Sequence, residues 1–175
     1  MNKKITSLIL TLAMIPCSVS SFAKNNEEKT QVKVAEAAYG TPVIDGEQDS
    51  IWNSTNYNVF DNVMGTDSTF YKGWFKVLWD DENMYMLAKV YSEQFSNMDG
   101  SPWENDSIEY FIDEDCKRTT KYYDDDYQLR IGFDSALSAN NYDVNKMTGK
   151  AVRGDNYYIA ELSFPYKTVT PYDGM

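Results

Sequence analysis

Hydrophobic and polar positions alternate along most of this chain with a period of two, and helical periodicity is weak, which predicts strands. The clearest case is Trp74-Phe75-Lys76-Val77-Leu78-Trp79, then Asp80-Asp81-Glu82-Asn83, then Met84-Tyr85-Met86-Leu87-Ala88-Lys89-Val90-Tyr91. Two aromatic-rich runs joined by a short acidic turn read as a β-hairpin. Further on, Ser107 to Asp113 places Ile108, Tyr110 and Ile112 on one face, and Tyr127 to Phe133 places Tyr127, Leu129, Ile131 and Phe133 on one face. The opposite faces carry Glu109, Gln128 and Arg130. A last hairpin joins Lys150–Arg153 to Tyr157–Phe164 through Gly154-Asp155-Asn156, a composition suited to a turn. Near the start, Gly40-Thr41-Pro42 breaks the chain, Val43-Ile44 begins a short strand, Asp45-Gly46 supplies a turn, and Ile51-Trp52 returns to the core. Many short strands with turn signals predict an all-β fold, a single antiparallel β-sandwich of jelly-roll-like type.

The first residues follow a different pattern. Lys3 and Lys4 precede an apolar run from Ile5 to Ile15, then Pro16 and small polar residues up to Ser21-Phe22-Ala23. A membrane-spanning helix needs roughly 20 apolar residues, so this run reads as a signal peptide over residues 1–23, cleaved after Ala23. Pro16 directly before Cys17 fits poorly with lipid attachment at that cysteine. Residues 24–38, rich in Asn, Glu, Lys, Gln and Ala, read as an exposed leader, and the sandwich spans 39–175. The expected location is secreted and extracellular. Cleavage leaves Cys116 as the single cysteine, so stability there cannot rest on an intramolecular disulfide.

Composition removes several classes of function. Histidine is absent, and 16 Lys and Arg face 27 Asp and Glu for a formal net charge of −11. A Ser-His-Asp triad, a histidine-based zinc site and a histidine-ligated haem are excluded, and an electrostatic nucleic-acid binder is not expected. The 4 Trp, 14 Tyr and 8 Phe give a polar, acidic chain a large planar surface, the composition of a soluble β-rich domain with no membrane partner.

The polar residues on the two middle strands have two readings. Glu109 accepts and Arg130 donates, so together they can bracket vicinal sugar hydroxyls, with Gln128 on the same face as Arg130. The alternative is a cross-strand ion pair that only stabilises the sheet. Trp103 favours the sugar: it lies in the loop Asp99-Gly100-Ser101-Pro102-Trp103-Glu104-Asn105-Asp106, outside any regular strand, where an exposed indole can stack on the C–H face of a pyranose. Of Trp52, Trp74 and Trp79, in or beside strands, at least two are expected in the core. Asp124, Asp125 and Asp126 read as a solvated turn, since no EF-hand spacing is present.

These segments carry a resemblance. Tyr39-Gly40-Thr41-Pro42-Val43-Ile44-Asp45-Gly46-Glu47-x-Asp49-x-Ile51-Trp52 resembles the opening of family 9 carbohydrate-binding modules, which are appended to secreted xylanases. Pro102-Trp103-Glu104-Asn105-Asp106-Ser107-Ile108-Glu109-Tyr110-Phe111-Ile112-Asp113-Glu114 and Tyr122-Tyr123-Asp124-Asp125-Asp126-Tyr127-Gln128-Leu129-Arg130 are similar to that family's central blocks. The likeness runs from about Tyr39 to Tyr172, and the second pair of blocks is its more specific part. It implies a non-catalytic β-sandwich that binds the ends of β-linked plant polysaccharide such as xylan or cellulose, holds the sugar between two tryptophans, and recruits a glycoside hydrolase. Trp103 matches the first tryptophan, and Glu109 and Arg130 match polar sugar contacts. The resemblance also implies structural calcium, for which Asp106 is named first and Asp124, Asp125 and Asp126 are alternatives.

Two departures matter. Ser92-Glu93 stands where the family tends to place an aspartate, and the chain reaches Met175 without the second tryptophan. The expectation is a module incomplete at its C-terminal end, so that a longer chain would melt at a higher temperature. Three other classes are weighed against the binding module. They are a portion of a xylanase acting on glycosidic bonds through paired carboxylates, a haem-binding sandwich that would need axial ligands from methionine, and a surface adhesion domain that binds protein through exposed tyrosines.

Overall fold

The alternating runs form strands in the computed structural model of the chain, which describes residues 8–10, 34–60, 72–97 and 100–169. In chain order these strands are β1 (Leu8–Leu10), β2 (Ala35–Tyr39), β3 (Asn58–Phe60), β4 (Lys72–Trp79), β5 (Asn83–Tyr91), β6 (Ser107–Asp113), β7 (Asp126–Gly132), β8 (Leu137–Asn140), β9 (Thr148–Arg153) and β10 (Tyr157–Pro165). The larger sheet runs β1-β2-β4-β5-β10-β9, with β3 also pairing β4, and the smaller runs β6-β7-β8. Every pair is antiparallel except β2 with β4.

The two sheets close on one another because each strand turns its apolar parity inward. From the larger sheet come Met86, Ala88, Ala151, Tyr158, Ala160, Leu162 and Phe164, and from the smaller Ile108, Tyr110, Tyr127, Leu129 and Ile131. Burying a side chain of this size stabilises by about 1.5–3 kcal/mol. Trp52 and Trp79 are buried, at 0% and 2% exposure, as expected for two of the three strand-associated tryptophans.

The far face of the larger sheet is covered by the loop between β2 and β3, and here the structure differs from the sequence reading. Val43-Ile44 is not a strand. Its backbone is recruited by carboxylates instead: Val43 N–H donates to Asp49 Oδ2 at 2.8 Å, and Asp45 and Gly46 N–H donate to Glu161 Oε2 at 2.9 and 2.8 Å. Gly46 sits at φ +86°, the positive value its turn requires. Trp52 Nε1–H completes the cradle with a 2.9 Å bond to Glu161 Oε1. Glu161 lies wholly buried on β10; burial pushes its carboxyl up against the pull of these three donors. On β4, on the same face of the sheet and with Leu87 of β5 between it and Glu161, Lys76, 2% exposed, donates from Nζ to the carbonyls of Trp52 (2.7 Å) and Thr55 (3.2 Å). The loop is therefore held to the sheet by two buried polar side chains, each provided with partners.

The fold also starts earlier than the sequence suggests. Ala35–Tyr39, assigned from sequence to an exposed leader over 24–38, forms β2, with Ala37 and Ala38 buried and paired to Val77 and Leu78. The expected signal peptide lies outside the described residues apart from Leu8–Leu10, which pairs with Ala35–Ala37. Among the described residues no helix is long and apolar enough to cross a membrane.

Candidate functional site

The side chains that do not face the core on β6 and β7 form the outer surface of the smaller sheet. Strand parity places Ser107, Glu109, Phe111 and Asp113 there from β6, opposite Gly132, Arg130, Gln128 and Asp126 of β7. On the other side of β7, Ser138 and Asn140 of β8 stand opposite Arg130 and Gln128. Because β7 is the middle strand, its polar side chains are buried between those of its neighbours: Gln128 is 8% exposed and Arg130 3%.

Burial demands partners, and the network supplies them. Arg130 Nε donates to Glu109 Oε1, and its Nη1 donates to Ser138 Oγ at 2.9 Å. Gln128 Nε2 donates to Glu109 Oε2 at 2.7 Å, while its Oε1 accepts from Asn140 Nδ2 at 2.8 Å. Glu109, Gln128 and Arg130 are thus brought together on one face, as strand parity implies. The ion pair of the alternative reading is present too, so both readings describe the same geometry. Arg130 Nη2 has no acceptor among the described residues, and Arg130 lines a groove of about 110 Å³ together with Pro102, Asn105, Ser107 and Ser138.

Trp103 belongs to the turn whose Pro102, with the following Asn105, lines this groove. It occupies a single 3₁₀ turn, Pro102–Glu104, with a capping box in which Ser101 N–H donates to Glu104 Oε2 at 3.0 Å. The cap fixes the turn, yet the indole is 62% exposed. The turn is tied to the sandwich by Asp106, whose Oδ2 accepts from Ser96 N–H at 2.5 Å and whose carbonyl accepts from Phe133 N–H at 3.3 Å. Asp106 therefore holds a loop junction beside Trp103, away from the other acidic residues named from sequence.

Those other acids lie at the opposite end of the strands, around a groove of about 730 Å³ lined by Asp115, Lys117, Tyr122, Tyr123, Asp124, Asp125, Asp126 and Asn141. Asp113, Asp115 and Asp125 each offer a carboxylate oxygen within 4.8 Å of the others. Asp113 Oδ1 is buried with no hydrogen-bond partner. Of the sequence candidates only Asp125 belongs to this trio: Asp126 Oδ2 accepts from Tyr123 N–H at 2.9 Å, and Asp124 is exposed in the turn.

Three members of the outer surface escaped the sequence reading. Ser138 and Asn140 lie on β8, which is too short and polar to announce itself. Phe111 shares the parity of Glu109, so the alternation that placed Glu109 outward also applies to it; it is 63% exposed.

Comparison with known proteins identifies the family to which this fold belongs. The chain is 41% identical over 147 residues to endo-1,4-beta-xylanase A of Thermotoga neapolitana, covering 80% of this chain and 14% of that protein. It is 34% identical over 148 residues to endo-1,4-beta-xylanase A of Thermoanaerobacterium saccharolyticum, covering 81% of this chain and 12% of that protein. The chain therefore spans only 14% and 12% of the length of these curated relatives. Among solved structures, a carbohydrate binding module family 9 protein from Caldicellulosiruptor kristjanssonii in complex with glucose superposes with a TM-score of 0.72 at 30% identity, covering 79% of this chain and 71% of that one. The same module in complex with cellotriose superposes with a TM-score of 0.72 at 31% identity, covering 78% and 69%. The model of the carbohydrate family 9 binding domain-like family matches residues 44–175, and the chain belongs to that family.

Proposed function

We propose that the chain is a non-catalytic module that binds β-linked glycan, seating a sugar ring beside Trp103 and over the Glu109–Arg130 row. The observation that carries this reading is the outward network of Glu109, Gln128 and Arg130 with an exposed, capped indole in the turn that borders its groove. A pyranose presents an apolar face to an aromatic ring and a rim of hydroxyls to charged donors and acceptors, and such charge-assisted bonds contribute about 1.5–3 kcal/mol each. The groove lined by Arg130, Ser107 and Ser138 would receive one hydroxyl of the ring. Because the network is already assembled, little side-chain freedom is lost on binding.

Both Glu109 oxygens accept, from Arg130 and Gln128, so this carboxylate is held in a fixed orientation toward a ligand. The module acts by binding alone, and xylan or cellulose chains are its polymer targets. Its role is to concentrate a glycoside hydrolase on polysaccharide, and its signal peptide, with Lys3 and Lys4 before an apolar run, directs it outside the cell. The relatives named as xylanases support the first point and the signal-peptide pattern the second.

Calcium fits the trio Asp113, Asp115 and Asp125: all donors are hard carboxylate oxygens, and the orphaned Asp113 Oδ1 is suited to a cation. When bound, the ion neutralises three like charges, while Asp113 and Asp125 tie the end of β6 to the turn before β7.

Calorimetric titration with cellotriose tests the main reading. Trp103→Ala is expected to abolish measurable binding while the melting temperature stays unchanged, since the indole is largely in solvent. Binding equal to that of the parent protein would remove Trp103 from the site.

A further inference from the structure

Phe111 is the one large aromatic residue on the outer parity of β6, and its exposure of 63% has no structural explanation. None of the ring contacts among the described residues involves it, although Phe95 and Phe133 pair with each other, as do Tyr127 and Tyr142. Its cross-strand partner is Gln128, the amide that links Glu109 to Asn140. On β6 it lies two residues past Glu109, on the side away from Trp103, a displacement of about 6.7 Å along the strand. That is the length scale of one hexose unit.

An aromatic face bordered by amide and carboxylate groups matches the two-sided chemistry of a pyranose, apolar on its ring face and hydroxylated at its rim. A protein partner fits less well, because a specific protein interface needs about 800 Å² per partner with an apolar centre. Phe111 is instead a single ring in a polar field of Glu109, Gln128 and Asn140. We propose that Phe111 is the stacking platform for a second sugar unit, so that the ligand is an oligosaccharide running along β6 from Trp103, over Glu109 and Arg130, onto Phe111. The inference rests on the sugar-binding reading above and adds to it a subsite that selects for chain length.

Titration calorimetry with glucose and with cellotriose distinguishes the two. Phe111→Ala is expected to weaken cellotriose on the order of tenfold while glucose affinity stays within about twofold, because a single sugar occupies only the first position. Phe111→Trp is expected to retain or tighten cellotriose binding. Val59→Ala, which truncates a 65% exposed side chain on the larger sheet, serves as the control, and thermal melts establish that each variant folds. Unchanged cellotriose affinity in Phe111→Ala overturns the proposal, as does an equal loss for both sugars. If the unaltered protein binds neither sugar, the sugar-binding reading itself fails; if it binds both and Phe111→Ala makes no difference, only the second subsite fails.

Discussion

Asp80, in the turn between β4 and β5, shows how one side chain ties sequence to stability. Its Oδ1 accepts the N–H groups of Glu82 and Asn83 at 2.9 and 2.8 Å, and its Oδ2 accepts the hydroxyls of Tyr85 at 2.5 Å and Thr41 at 2.7 Å. Burial pushes the carboxyl up, but these four donors outweigh it and hold it below its ordinary 3.8. Burial, reinforced by the Asp80 charge, pushes the Tyr85 hydroxyl up to about 12. The signs differ. Asp80 stabilises fully above its unfolded value and loses that contribution as pH falls through the depressed folded value. Tyr85 contributes below its ordinary 10 and loses that contribution as pH rises through about 12. Asp80→Asn is therefore expected to lower the melting temperature at neutral pH and to flatten its fall in acid. Melting curves recorded below about pH 5 check this, and an acid limb as steep as that of the parent protein would remove Asp80 from the account.

At the scale of elements, legibility followed how locally each strand is specified. β6 was readable over Ser107–Asp113 and the β4–β5 and β9–β10 hairpins were readable as units, because their alternation and turns lie within a few residues. β2 was not: Ala-Glu-Ala-Ala has little strand propensity, and the segment is a strand because it lies parallel to β4. Val43-Ile44 erred in the other direction, since two β-branched residues looked like a strand while distant Glu161 claimed the neighbouring backbone N–H groups. The same distinction governed the site. Glu109, Gln128 and Arg130 could be placed by parity, whereas Ser138 and Asn140 depended on where β8 docks. Packing between elements is tight where β9 meets the smaller sheet: a Cβ added at Gly149 would come within 2.8 Å of Leu137 Cδ2 and 2.9 Å of Ile131 Cδ1. Gly149→Ala should cost about 1–3 kcal/mol through overpacking. Urea denaturation measures it, and an unchanged midpoint would show that the two side chains yield freely.

Across the whole molecule, the two candidate sites lie at opposite ends of β6 and β7, the glycan row near Trp103 and the acidic trio near Asp113. A cation at the trio would favour the folded chain by mass action, about 2.7 kcal/mol when free calcium is a hundred times the dissociation constant. At this size one kcal/mol moves the melting temperature by about 2–4 °C. Chelation is expected to lower the melting temperature by several degrees, with recovery on adding calcium and little change in glycan affinity. An unshifted melt would argue against any bound ion.

The position of β10 between β5 and β9 has a consequence for how the chain comes into being. Synthesis proceeds from the N-terminus, so Tyr157–Pro165 is among the last described segments to leave the ribosome, yet it joins β9 to the rest of the larger sheet and carries Glu161, the anchor of the early loop. Until it emerges, β5 has an open edge and the loop around Trp52 has no carboxylate to close on. The segment from β2 to β9 thus has no complete larger sheet to join until β10 has been made, which places closure of the sandwich late in synthesis.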